Sequence, residues 1–99
     1  MSYSIKLTSE AKADIQAIFN FYKKEKTDLG KQFLEQLNTV FKLLENNPKL
    51  FQIKYKNLRQ APIKKFQIQV HYFIKKTESQ VIVIAALHTS RNPEIWKDR

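Results

Sequence analysis

The 99 residues carry 18 Lys or Arg against 9 Asp or Glu, a formal charge of +9, with a hydrophobic fraction of 42%. This is the size of one domain, taken as residues 1–99, and one Gly with three Pro argues against a disordered or linker-rich chain. The absence of Cys excludes disulfides and thiolate metal sites, and His71 and His88, with no acidic pair nearby, make a poor metal site, so neither metal nor cofactor is expected.

The first residues have no apolar stretch of the signal-peptide kind. Tyr3, Ile5 and Leu7 alternate with Ser4 and Lys6, which predicts a short half-buried strand. Thr8 or Ser9 can cap the helix that follows, with Glu10 and Asp14 near its positive end. Ala11, Ile15, Ile18, Phe19 and Tyr22 fall on one face of that helix, and Lys23, Lys24, Glu25 and Lys26 make a polar exit. Asp28 is a candidate cap for a second helix, whose apolar face is Phe33, Leu37, Val40, Phe41 and Leu44, with Leu34 beside it. Asn46, Asn47 and Pro48 end it, because Pro disfavours the helical region before it and cannot continue the hydrogen-bond ladder. The link is short, so the helices are expected to pack as an antiparallel hairpin. Gly30, in the first turn of the second helix, reads as a point of close approach or an easy bend; one Gly is too few for a phosphate loop.

After Pro48 the apolar period changes from 3.6 to 2. Phe66, Ile68, Val70, Tyr72 and Ile74 alternate with Gln67, Gln69, His71, Phe73 and Lys75, the clearest strand in the chain. Residues 77–80 form a hairpin loop, and residues 81–87 a central strand buried on both faces. That apolar run is far too short to span a bilayer, so a cytoplasmic protein with no membrane partner is expected. Residues 55–61 are a weaker strand candidate, limited by Pro62, and a short C-terminal helix holds Trp96. The resulting order is β-α-α-β-β-β with a short terminal helix: an α+β fold in which a helical hairpin covers one face of a mostly antiparallel sheet.

The charge is unevenly placed. Residues 1–45 hold 7 Lys and 6 acids, whereas residues 46–99 hold 11 Lys or Arg and 3 acids, with no acid between Glu45 and Glu78. A one-sided field of this kind concentrates a polyanion or an acidic protein. Within it, Arg59, Lys64 and Lys65, with Lys54 and Lys56 upstream, form a candidate anion-binding face, Arg by bidentate hydrogen bonds and Lys as a point charge. The competing reading is a set of edge-strand lysines that deter sheet-edge pairing. His88 and Arg91 follow the most buried strand. There His88 can exchange a proton near neutral pH and Arg91 can stabilise charge on a phosphate, or His88 caps the strand and Arg91 pairs with Glu94. Tyr72 shares the core side of its strand with Val70, while His71, Gln69 and Phe73 lie on the other face, expected to be exposed or to form a binding surface.

Taken together, Leu7-Thr-Ser-Glu-Ala-Lys-Ala-Asp-Ile15, Leu29-Gly-Lys-Gln-Phe33, Asn47-Pro48, Leu58-Arg59, Lys65-Phe66 and Ala86-Leu87-His88-Thr-Ser-Arg91-Asn-Pro93 with Trp96 resemble the RelE/ParE superfamily of type II toxin–antitoxin toxins, the plasmid stabilisation proteins. The resemblance spans nearly the whole chain. It implies a compact toxin held off by a cognate antitoxin in a hetero-oligomer. RelE-like members cut messenger RNA on the ribosome without a metal, by attack of the 2′-hydroxyl on the adjacent phosphate. ParE-like members poison DNA gyrase and need no nuclease site. For a ribonuclease, the resemblance nominates Arg59, Lys65 and Arg91 as phosphate ligands and His88 as the proton carrier. RelE-like nucleases place a reactive Tyr near the C-terminus, whereas here no Tyr follows Tyr72 and that region holds Trp96. A basic nucleic-acid-binding protein of the same fold, without toxic activity, is the alternative.

Overall fold

The computed structural model describes residues 2–89; the expected C-terminal helix, Arg91 and Trp96 lie outside the described residues. The chain runs β1 (Ser4–Leu7), α1 (Ser9–Glu25), α2 (Thr27–Asn46), β2 (Ile53–Tyr55), β3 (Leu58–Ile63), β4 (Ile68–Lys75) and β5 (Gln80–His88). The strands form one mixed sheet in the order β1-β5-β4-β3-β2. The β1–β5 pair is parallel and the other three pairs are antiparallel. This is the expected α+β arrangement, with both helices on one face of the sheet.

Each helix forms for a local reason and is held by a tertiary one. The Thr8 hydroxyl caps α1 by accepting from the Ala11 N–H at 3.1 Å. Ala11, Ile15, Ile18, Phe19 and Tyr22 then face Phe33, Leu37, Val40, Phe41 and Leu44 of α2 and the sheet residues Val70, Tyr72, Val81 and Val83. Phe33 and Leu44 are fully buried, each worth about 1.5–3 kcal/mol against exposure. Asp28 is not the cap of α2. The helices are separated by the single residue Lys26, so α2 already begins at Thr27 and Asp28 lies in its first turn, where its charge meets the positive helix end. Gly30 is a point of close approach. A Cβ there would lie 3.1 Å from Phe19 Cε1 and 3.3 Å from the Lys23 Cα of α1.

The weak strand candidate at residues 55–61 resolves into two strands. Tyr55 pairs with Leu58 across a turn in which Lys56 takes a left-handed conformation, φ 51°. Pro62 does not end the strand. The pairing of β2 with β3 runs over Ile53 with Arg59 and Tyr55 with Leu58, so Pro62 lies beyond it, where a missing N–H costs no ladder bond. Phe66 lies not in β4 but in a 3-10 turn (Lys64–Phe66), yet still fills the core, edge-on to Tyr22 with ring centroids 4.8 Å apart. A second 3-10 turn (Lys76–Glu78) joins β4 to β5, and Gln67 and Ser79 close the two turns in left-handed conformations.

One irregularity redirects the end of β5. His71 pairs with Ala85 but Tyr72 with Val83, which leaves Ile84 as an extra residue in β5. Before this bulge Val81 and Val83 face the helices; after it Ala86 does, while Ile84, Ala85 and Leu87 pack on the other face with Leu58. Two residues past Ala86, His88 is therefore turned toward α1. His71 lies on the opposite face, neither exposed nor part of an open surface: it is 3% exposed, flanked in register by Gln60 and Ala85.

Candidate target-binding surface

The predicted cations do not form one cluster. Arg59, on β3, points to the helix side of the sheet, where its Nη1 donates to the Phe51 carbonyl at 2.7 Å. Its register partner Tyr72 is fully buried, and the Tyr72 hydroxyl donates to the Pro48 carbonyl at 2.7 Å. Burial pushes the Tyr72 phenol up to about 12, against the opposing pull of the Arg59 charge and a hydrogen bond from the Phe51 backbone. Two side chains thus pin the Pro48–Phe51 loop to the sheet and hold the guanidinium in place. The bond to Phe51 uses one of its five donors.

The held guanidinium lines an open cleft of about 260 Å³ with Lys49, Ile53, Asn57, Ile74 and Lys76. These residues come from the loop before β2, the β2–β3 hairpin, β4 and the β4–β5 turn. Three cations converge there, and no acid is among its described lining residues. In the same turn, Glu78 is engaged by Lys75 at 2.5 Å. Lys49, Asn57 and Lys76 were not among the predicted site residues. The acid-free interval already contained both lysines, but pairing of β3 with β4 brings Lys76 beside Arg59, and the bonds from Arg59 and Tyr72 to the Pro48–Phe51 loop bring Lys49.

The other predicted cations lie elsewhere. Lys54 lines a second cleft, of about 390 Å³, with Gln52, Gln60, Pro62 and Gln69. Lys56 sits in the β2–β3 turn with its ammonium 5.4 Å from the Tyr55 ring centre. Lys64 and Lys65 are exposed on the turn between β3 and β4; Lys65 hydrogen-bonds Gln32 of α2 and lies 5.8 Å from the Phe66 ring centre.

His88 lines a small cavity of about 110 Å³ with Asp14, Ala17 and Ile18 of α1 and Ala86 and Leu87 of β5. Asp14 is the residue the sequence reading assigned merely to helix-end electrostatics. Its Oδ2 accepts from the Ala86 N–H at 3.1 Å, while the Thr8 hydroxyl donates to the Ile84 carbonyl at 3.4 Å. Side chains thereby replace β1 along the part of β5 that β1 does not reach. Among the described residues no group of three or more His, Asp or Glu is placed to hold a metal ion, and no helix is long and apolar enough to cross a membrane.

A helical hairpin on one face of a mixed sheet, with the excess of cations in its second half, makes this a small basic α+β domain. The family model described as the ParE toxin of the type II toxin–antitoxin system parDE matches residues 5–93, and the chain belongs to that family. Its fold is similar to that of a chain from the chromosomal ParDE system of Pseudomonas aeruginosa, at TM-score 0.75 and 14% identity, covering 90% of this chain and 98% of that one. A mutant of the Escherichia coli toxin RelE in the free state gives TM-score 0.66 at 13% identity, covering 98% and 93%. The RelBE2 toxin–antitoxin complex of Mycobacterium tuberculosis gives 0.65 at 14%, covering 89% and 99%. A search of curated proteins finds no match.

Proposed function

We propose that this toxin acts by inhibiting DNA gyrase, without nuclease chemistry, and that a cognate antitoxin neutralises it in a cytoplasmic hetero-oligomer. The observation that carries the choice of target is the separation of the candidate catalytic groups. Arg59 is in register with Tyr72 and Val83, whereas His88 pairs with Ile68, four residues along β4. With strand spacings added, the Cα atoms of Arg59 and His88 are roughly 16 Å apart. Arg59 is bonded to the Phe51 carbonyl and lines one cleft, while His88 lines another cavity with α1, so the two side chains do not converge on one phosphate. Tyr72, the last Tyr of the chain, is buried with its hydroxyl committed to Pro48, so it supplies no proton to a substrate. The ParE family match supports the same reading. The antitoxin partner is supported by the similar fold of chains seen in toxin–antitoxin complexes.

The test is a side-by-side assay with purified protein. The expected outcome is loss of gyrase supercoiling at stoichiometric protein, unchanged by His88→Ala, with message on translating ribosomes left intact. Normal supercoiling together with message cleavage would reverse the assignment to ribosome-dependent mRNA cleavage.

A further inference from the structure

We infer that the cleft between Lys49, Arg59 and Lys76 is a docking site for an acidic, aliphatic segment of a protein partner, with carboxylates on the cations and an aliphatic side chain on Ile53 and Ile74. This goes beyond the gyrase reading, because it concerns the chemistry of a bound segment and not the process inhibited.

Three features support it. The first is charge. Lys49, Arg59 and Lys76 share one cleft without a lining acid among the described residues, and an anionic partner relieves their mutual repulsion. The second is rigidity. Arg59 is held by its bond to Phe51 in a loop also pinned by Tyr72, so its planar fork is set before a carboxylate arrives, which lowers the ordering cost of binding. The third is the character of the lining. Ile53 remains 51% exposed and Ile74 is partly buried, so the cleft combines cations with aliphatic surface. A single-stranded nucleic acid gains most from aromatic rings on which bases stack, and none is among the described lining residues. An acidic peptide with an interspersed Leu or Ile matches both the charges and the aliphatic surface. The cleft also abuts β2, the terminal strand of the sheet among the described residues, so an approaching segment meets a sheet edge.

The test uses the full chain, labelled with 15N and titrated by NMR with the blocked peptide acetyl-Glu-Leu-Glu-Leu-Glu-amide and, separately, with hexathymidylate. Peptide-induced shifts are expected at Lys49, Asn57, Arg59 and Lys76, weakening as salt rises. The double variant Lys49→Gln/Lys76→Gln, whose spectrum reports that it is folded, is expected to bind the peptide at least about tenfold more weakly. The charge-matched control Lys23→Gln/Lys24→Gln, on exposed positions of α1, should bind within about twofold of the parent. The proposal is overturned by absence of shifts in the cleft at millimolar peptide. Equal weakening in both double variants, or hexathymidylate binding in the cleft as strongly as the peptide, overturns it too. None of these outcomes depends on gyrase, so failure here and failure of the supercoiling assay are separable.

Discussion

Replacing Tyr72 by Phe removes one oxygen atom from the core and makes a prediction whose sign changes with pH. The ring stays buried, but the Pro48 carbonyl loses the 2.7 Å bond from the hydroxyl. Between pH 7 and 9 the variant should be less stable by about 1–2 kcal/mol, which for a domain of this size lowers Tm by roughly 5–15 °C. Burial raises the Tyr72 phenol from its ordinary value near 10 to about 12 in the folded protein. Below pH 10 both folded and unfolded chains keep this proton, so the advantage of Tyr over Phe is constant. From pH 10 to 12 the unfolded chain releases the proton and the folded chain retains it, so rising pH favours the unfolded parent. The loss reaches about 2–3 kcal/mol across that window. At about pH 11 it amounts to about 1.4 kcal/mol, enough to cancel the hydrogen-bond advantage and bring the two proteins level. Urea unfolding of parent and variant at half-unit steps from pH 8 to 11 measures the difference directly, and the many Lys titrations cancel between the two. A stability difference that stays flat over this range would refute the reasoning, because Tyr72 would then titrate alike in both states.

Three further perturbations test the scaffold. Asp14→Ala strands the Ala86 N–H and should cost about 1–3 kcal/mol in urea unfolding, whereas Asp14→Asn, which keeps an acceptor, should recover a large part of it. Gly30→Leu drives a side chain into Phe19 and Lys23 across the helix hairpin; a loss of about 1–3 kcal/mol is expected despite the better helix propensity, and a gain in Tm would show that the hairpin spreads freely. Lys56→Gly relieves a left-handed residue in the β2–β3 turn and should raise stability by about 0.5–1 kcal/mol, measurable as a higher urea midpoint at unchanged slope.

Much of this molecule is local and therefore legible in the chain. The 3.6-residue spacing of Ala11, Ile15, Ile18 and Tyr22, and of Phe33, Leu37, Val40 and Leu44, specifies two helices with one apolar face each, and both faces enter the same core. The period-2 run from Ile68 to Ile74 specifies a strand, and the apolar run after it a central one. The acid-free interval marks the half of the chain that bears the cationic cleft. What the chain alone does not state is who meets whom, because charge and periodicity carry no information on register. Strand pairing, with the side-chain bonds that pin the Pro48–Phe51 loop, sets Lys49, Arg59 and Lys76 around one cleft and leaves Lys54, Lys64 and Lys65 elsewhere. The bulge at Ile84 inverts the side-chain alternation, because one extra residue shifts a period of two by half a cycle. Were β5 regular through Ile84, His88 would point to the face of Leu58; with the bulge, His88 shares a cavity with Asp14 of the first helix.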